Sequence, residues 1–326
     1  MRYRWLAVMV TGMLALGVAA CGGDDDGDSG SGGDLSGPVA IDGSSTVFPF
    51  GQAAAEGFQG ENSGVQVTVG ESGTGGGFEK FCAGETDISN ASRPIKDEEI
   101  EACEKGGVSY SEIQVANDGI AVVTNKDLTI GCLTTGQLKE LWNKDSTVKT
   151  YADLGDDAET GQPLPDTEVS LFGPGTDSGT FDFFTDVING EEGDTRKDYQ
   201  PSEDDNILVQ GVSGDKGGLA YFGFSYYEDN QDKLNLVAVD AGDGCVKPSV
   251  ETIQDGSYKP LSRPLFQYPS AASLADKPQV KGFMDYTIAN VDEIATTAKV
   301  VPLTAEQVTA AKAALTKAES GSGTAE

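Results

Sequence analysis

Histidine is missing altogether from the 326 residues. Its absence removes the usual general base near neutral pH, the commonest nitrogen ligand for zinc or iron, and any Ser-His-Asp hydrolysis. Ser178, within "TDSGT", sits in a setting similar to that of a serine protease nucleophile, yet it has no imidazole to activate it. Basic residues are also scarce, 22 Lys and Arg against 53 Asp and Glu, for a formal net charge of −31. The resulting field repels nucleic acid and anionic membranes and favours solubility, so nucleic acid is not an expected partner and an anionic ligand has to be held by local groups. Most of the acidity reads as a solvated surface. The 5 cysteines include no CxxC pair, which argues against a thiolate metal site, and no metal or cofactor is expected. Neither G-x-x-x-x-G-K-[ST] nor G-x-G-x-x-G with a later acidic ribose partner occurs, which disfavours nucleotide hydrolysis and dinucleotide binding.

What is present begins with "MRYRWLAVMVTGMLALGVAA": Arg2 and Arg4, an apolar core from Trp5 to Leu16, then small residues before Cys21. This is the layout of an export signal over residues 1–20, too short to be taken as a spanning helix. "LGVAAC" resembles the lipobox of bacterial lipoproteins, which implies cleavage before Cys21 and lipidation of its thiol. An ordinary signal that leaves Cys21 free is the weaker alternative, because bare thiols are uncommon on secreted surfaces. Residues 21–37 continue as Gly, Ser and Asp around one apolar residue, a self-repelling tether. Its "DDDGD" lacks the ligand spacing and terminal Glu of an EF-hand. The expected location is outside the cell's cytoplasmic membrane, lipid-anchored to its outer face.

With Cys21 set aside, Cys82, Cys103, Cys132 and Cys245 form an even set in an exported chain, so three disulfide pairings are possible. Cys82–Cys103 with Cys132–Cys245 is favoured, since the first pair brackets one local unit. From Gly37 onwards, β-like runs alternate with helix-like runs, the signature of an open α/β sheet, and the length allows two lobes. "PVAI" precedes "DGSSTVFPF" and the helical "GQAAAEGF"; "VQVTV" precedes "GESGTGGG" and "FEKFCAG"; "EVSLFG" precedes "GPGTDSGTFDFF". "SEIQVANDGIAVVTN" is a long extended segment of the kind that crosses between lobes, and "TTGQLKELW" is a threonine-capped helix. Val280, Phe283, Met284, Thr287, Ile288, Val291, Ile294 and Ala295 recur at spacings of three and four, predicting one amphipathic helix. The tail 317–326 is expected to fray.

Three strand-to-helix junctions therefore carry small residues: "DGSSTVF", "ESGTGGGF" and "GTDSGTF". Gly, Ser and Thr are ordinary turn formers and caps, so one junction alone says little. Three of them, at the strand ends where open α/β folds bind ligands, predict a cage of amides and hydroxyls around a small oxyanion.

"AIDGSSTVFPF", "SGTGGGFEKFCAGETDISNASRPI", "GTDSGTFDFF" and "GGLAYFGFSYY" together resemble the periplasmic phosphate-binding proteins of the PstS family, from about Val39 to near Leu315. The resemblance implies an α/β, two-lobed type II periplasmic-binding-protein fold with a phosphate cleft between hinged lobes. Lobe 1 would comprise 38–117 plus 259–316 and lobe 2 would comprise 118–258; the hinge candidates, taken from where extended runs could cross, are Val115 to Val123 and Tyr258 to Leu265. It also implies a receptor that takes inorganic phosphate and hands it to ABC permease subunits in the membrane; a monomer is expected, and with no histidine or metal cluster to activate a hydroxyl, no enzymatic activity is expected. Carried over position by position, the ligand set is Ser45, Thr46 and the Val47 amide; Thr74 or Ser72, with Gly75; and Ser178, Gly179 and Thr180. Better-known members carry an aspartate where this chain has Arg93, and an arginine where it has Pro174. Arg93 is accordingly expected to bind phosphate, against the alternative of an ion pair with Asp87, Asp97 or Glu98. Asp177 is the expected acceptor for the proton that distinguishes phosphate from sulfate. Other oxyanions (sulfate, molybdate, an organic phosphate), a phosphatase-like relative and a surface adhesion or signalling module are the competing readings.

Overall fold

The computed structural model describes residues 35–320, so the expected signal, Cys21 and nearly all of the tether lie outside the described residues. Three strand–helix units open the fold: β1 (Ser36–Gly43) and α1 (Phe48–Glu61), β2 (Gly64–Val69) and α2 (Gly73–Cys82), β3 (Ile88–Ala91) and α3 (Asp97–Gly106). The parallel pairs β1–β2 and β1–β3 follow from those right-handed units. Helix α1 carries a proline in its first turn, where a missing N–H costs nothing. Helix α2 begins earlier than its polarity suggests. Gly73 to Gly77, expected as loop, form its first turns, because a side chain at Gly77 would run into the Gly43 backbone 2.5 Å away. Glycine there lets the helix lie against β1.

The long strand β4 (Ile113–Asn125) then leads into the second lobe: β5 (Cys132–Thr134), α4 (Thr135–Trp142), β6 (Ser170–Gly173), α5 (Gly179–Phe184), β7 (Gln200–Pro201), α6 (Asp205–Gly214), β8 (Gly218–Gly223), α7 (Phe224–Glu228), β9 (Leu234–Asp240), β10 (Cys245–Val246) and α8 (Val250–Gln254). Thr134 caps α4 and exchanges bonds with Gln137, satisfying two otherwise orphaned amides. Strand β11 (Ser262–Pro269) returns the chain to the first lobe, inserted antiparallel between β3 and β4.

Four helices follow: α9 (Ala271–Asp276), α10 (Pro278–Ala289), α11 (Val291–Thr297) and α12 (Ala305–Glu319). The single helix expected across 280–295 is two, because Asn290 turns its side-chain amide onto the Tyr286 carbonyl and ends α10 there. The tail is helical to Glu319, so fraying does not begin at 317.

Each lobe has its own core. The first gathers Val39, Ile41, Phe50, Phe58, Val115, Ala116, Leu265, Phe283 and Met284; the second gathers Ile120 to Val123, Trp142, Tyr151, Phe184, Tyr221, Tyr258 and Leu261. Burying each such side chain contributes roughly 1.5–3 kcal/mol. Strand β4 thus passes from one core to the other between Ala116 and Ile120, and the return segment does so between Leu261 and Leu265. A third crossing was invisible in the pattern: Val300 and Leu303 pack in the first core while Val301, between them, packs in the second.

Both favoured disulfides form, Cys82–Cys103 joining α2 to α3 and Cys132–Cys245 joining β5 to β10. The first closes a separation of 21 residues beside a cluster of Phe78, Phe81, Tyr110 and Tyr268. Replacing both Cys82 and Cys103 by alanine is expected to cost about 2 kcal/mol, the low end for a disulfide, because that cluster still holds α2 in place. Urea unfolding of the pair of proteins measures it, and coincident midpoints would contradict the expectation.

Candidate functional site

The junctions after β1, β2 and β3 and the start of α5 meet in one cavity of ≈ 520 Å³. From the first lobe it is lined by Ser44, Ser45 and Thr46, by Ser72 and Gly73 to Gly76, and by Ser92, Arg93 and Lys96. From the second come Gly179, Asp182, Phe183, Asp186 and Glu192, and from β11 comes Arg263. No group of three or more carboxylate or cysteine side chains that could hold a metal occurs among the described residues.

The donors differ in how free they are. The Val47 amide, expected to face a ligand, instead closes a turn on the Ser44 carbonyl at 3.1 Å, and Val47 is fully buried in the first core. Thr46 Oγ1 accepts from Arg263 Nη2 at 2.6 Å. Thr74 Oγ1 lies 3.1 Å from Ser92 Oγ, so those two hydroxyls form one polar wall, with the first-turn amides of α2 beside them. Ser72, the near alternative to Thr74, donates its hydroxyl to Asp42. Lys80 binds the other oxygen of Asp42 at 2.7 Å, and although burial pushes that carboxyl up, these two partners hold it below the usual aspartate range. Ser72 therefore ties its loop to β1.

In the second lobe only Gly179 of the expected Ser-Gly-Thr reaches the cavity. Ser178 is the N-cap of α5 and accepts the Thr180 amide at 3.2 Å, and neither Ser178 nor Thr180 lines the cavity. Asp177 is exposed and does not line the cavity, because it lies in the turn outside the cap. Asp182, one turn further along, does line it. Burial first, then Glu192 and Asp177, lift its carboxyl to about 6, against the opposing pull of Arg263.

Two arginines sit at the cavity in different states. Arg93 forks onto Glu99, Nη2 to Oε1 at 2.7 Å and Nη1 to Oε2 at 2.8 Å, and that hydrogen bonding raises its pKa. A nearby carboxylate does claim it, though not one of the three expected; Asp87 is held instead by Lys277 and Ser273. Arg263 was missed. Its side chain is only 10% exposed, its Nε bonds Asp118 on β4 at 3.0 Å, and its guanidinium carbon stands 3.9 Å from the centre of the Phe183 ring. Burial lowers its pKa and Asp118 opposes the shift. The signal that could have found it is a pair of opposite charges, Asp118 in "NDGIAVV" and Arg263 in "LSRPLF", each alone in an otherwise apolar extended run.

With this geometry in hand, known proteins give a consistent picture. A family model described as a PBP superfamily domain matches residues 28–291. The chain is 47% identical over 274 residues to Protein SphX of Synechococcus elongatus, spanning 84% of this chain and 80% of that one. It is 42% identical over 281 residues to the phosphate-binding protein PstS of Staphylococcus saprophyticus, spanning 84% and 82%. Among solved structures, a crystal structure of a possible phosphate binding protein from Planctomyces limnophilus matches with a TM-score of 0.80 at 43% identity, over 87% of this chain and 99% of that one.

Proposed function

The chain belongs to the PstS family of phosphate-binding proteins within the PBP superfamily, and we propose that it is an extracytoplasmic solute-binding protein that captures inorganic phosphate between its lobes and presents it to an ABC permease. The observation that carries this reading is the convergence of Ser45, Thr46, the α2 amides, Thr74, Ser92 and Gly179 on one cavity with an arginine. Hydroxyls and helix-start amides suit a compact oxyanion and supply the local attraction that a net charge of −31 denies it. Open lobes would admit the ion and close on it by motion about the crossing segments β4 and 258–265.

No bond is made or broken in this cycle. A phosphatase reading would use the hydroxyl of Ser178 or Thr180; the first caps α5, neither lines the cavity, and no histidine is present to activate either. Lipid attachment through Cys21, a monomeric state and a place on the outer face of the cytoplasmic membrane complete the proposal. They rest on the leader sequence and on the family. Among the described residues no helix is long and apolar enough to cross a membrane.

Thermal unfolding against a panel of anions tests the ligand. Phosphate at a hundredfold excess over its dissociation constant is expected to stabilise the protein by about 2.7 kcal/mol, with sulfate, molybdate and simple organic phosphates giving much less. A larger shift with any of those, or none with phosphate, would replace the assignment.

A further inference from the structure

Arg263 is bonded unlike the cavity's other arginine. Asp118 takes only its Nε, although a carboxylate facing a guanidinium commonly accepts two parallel bonds. Nη2 turns away from that partner and donates to two groups at once: Thr46 Oγ1 at 2.6 Å in the first lobe and the Gly179 carbonyl at 3.2 Å in the second. Nη1 donates to no acceptor on the described residues, while the side chain lines the cavity and is nine-tenths buried. Phe183 covers one face of the guanidinium and holds its plane.

Its place in the fold sharpens the point. Arg263 pairs with Asp118 across β11 and β4, where the chain passes between the two cores. Both lobes therefore close onto a group that neither one carries. The guanidinium is otherwise nine-tenths buried, so its one unused N–H edge is presented to the cavity, where an oxyanion can meet it with a charge-assisted bond. Arg93 has both arms on Glu99 and leaves only its Nε without an acceptor, on a side chain 31% exposed where water can serve it.

Resting on the phosphate reading above, we infer that Arg263 is the cation that grips the bound oxyanion, donating through Nη1 while Nη2 ties Thr46 to Gly179. One guanidinium thereby joins ligand capture to lobe closure. A structural ion pair with Asp118 alone would leave both capture and closure indifferent to which cation occupies the position, provided the protein folds.

Calorimetric titration with inorganic phosphate, paired with small-angle scattering with and without saturating phosphate, separates the two. Arg263→Met is expected to lose at least a hundredfold in affinity and most of the phosphate-induced compaction. Arg263→Lys keeps the charge without the fork, and is expected to recover part of the affinity and little of the compaction. Arg93→Met is expected to lose less than tenfold. Should Arg263→Met fail to fold because Asp118 is left unpaired, Arg263→Met with Asp118→Asn removes both charges and is expected to show the same losses. Affinity within threefold of wild type in the folded variant overturns the contact, and full compaction at saturation overturns the coupling. If the wild-type protein itself takes no phosphate, the function proposed above fails instead, so the two failures are distinct.

Discussion

Gly179→Val is expected to weaken phosphate binding about a thousandfold, roughly 4 kcal/mol, while leaving the unliganded protein folded. The reason is a contact between lobes. A Cβ at Gly179 would overlap Ser45 Oγ and Thr46 Oγ1 and come to 2.8 Å from the Thr46 backbone nitrogen. The two hydroxyls can rotate aside; the backbone nitrogen at the start of α1 cannot. Gly179 does not have a positive φ, so in an open form valine fits the first position of α5 without backbone strain. The penalty thus falls on closure alone, and apparent affinity drops by the fraction of molecules still able to close. Gly179→Ala is expected to lie between, near a hundredfold. Gly60→Ala serves as the control: nothing lies within 4 Å of a Cβ there, so affinity should not change and α1 should gain up to about 1 kcal/mol. Wild-type affinity in Gly179→Val, read by calorimetry, would show that the lobes need not meet at this point.

The same residue shows what the sequence could and could not convey. Three small-residue junctions pointed to a common site because strand ends of an open α/β sheet lie together, and they do meet. Which atoms of each junction face the cavity was not legible, since capping a helix and binding an anion use the same hydroxyls and amides. The Ser178 hydroxyl accepts the Thr180 amide and the Val47 amide closes a turn on Ser44, whereas Thr74 and Gly179 line the cavity. Arg263 stayed hidden because it is brought to the site by strand pairing 145 residues away from Asp118, a long-range register that no local motif encodes. The break at Asn290 was masked for the opposite reason: the apolar spacing continues across it, as both helices pack on one core. The crossing at 299–303 has no periodicity at all, only alternate residues committed to different cores.

Asp182→Asn is expected to admit sulfate at least a hundredfold better at pH 7.5 with little loss for phosphate. Asp182 lines the cavity where the expected acceptor, Asp177, does not, and no hydrogen bond satisfies its carboxylate within the protein. Near neutrality phosphate always carries a proton to donate to such a group and sulfate carries none, so the ionised aspartate accepts from one and repels the other. Because its carboxyl is lifted to about 6, selectivity depends on pH with a definite sign. Above 6 the group is charged and excludes sulfate; below 6 it is protonated and donates to either ion. The wild-type preference for phosphate should therefore shrink as pH falls from 8 to 5, and the asparagine variant should show a small, flat preference throughout. Stability is a poorer reporter. Burial also lifts Asp205, to about 7, so the folded state retains protons on both groups that the unfolded chain has already released, and stability declines with rising pH across the same window. The ratio of phosphate to sulfate affinities at each pH cancels that shared drift. Undiminished sulfate rejection in Asp182→Asn would move the selecting role to another group on the cavity wall, with Asp186 and Glu192 the next carboxylates along it.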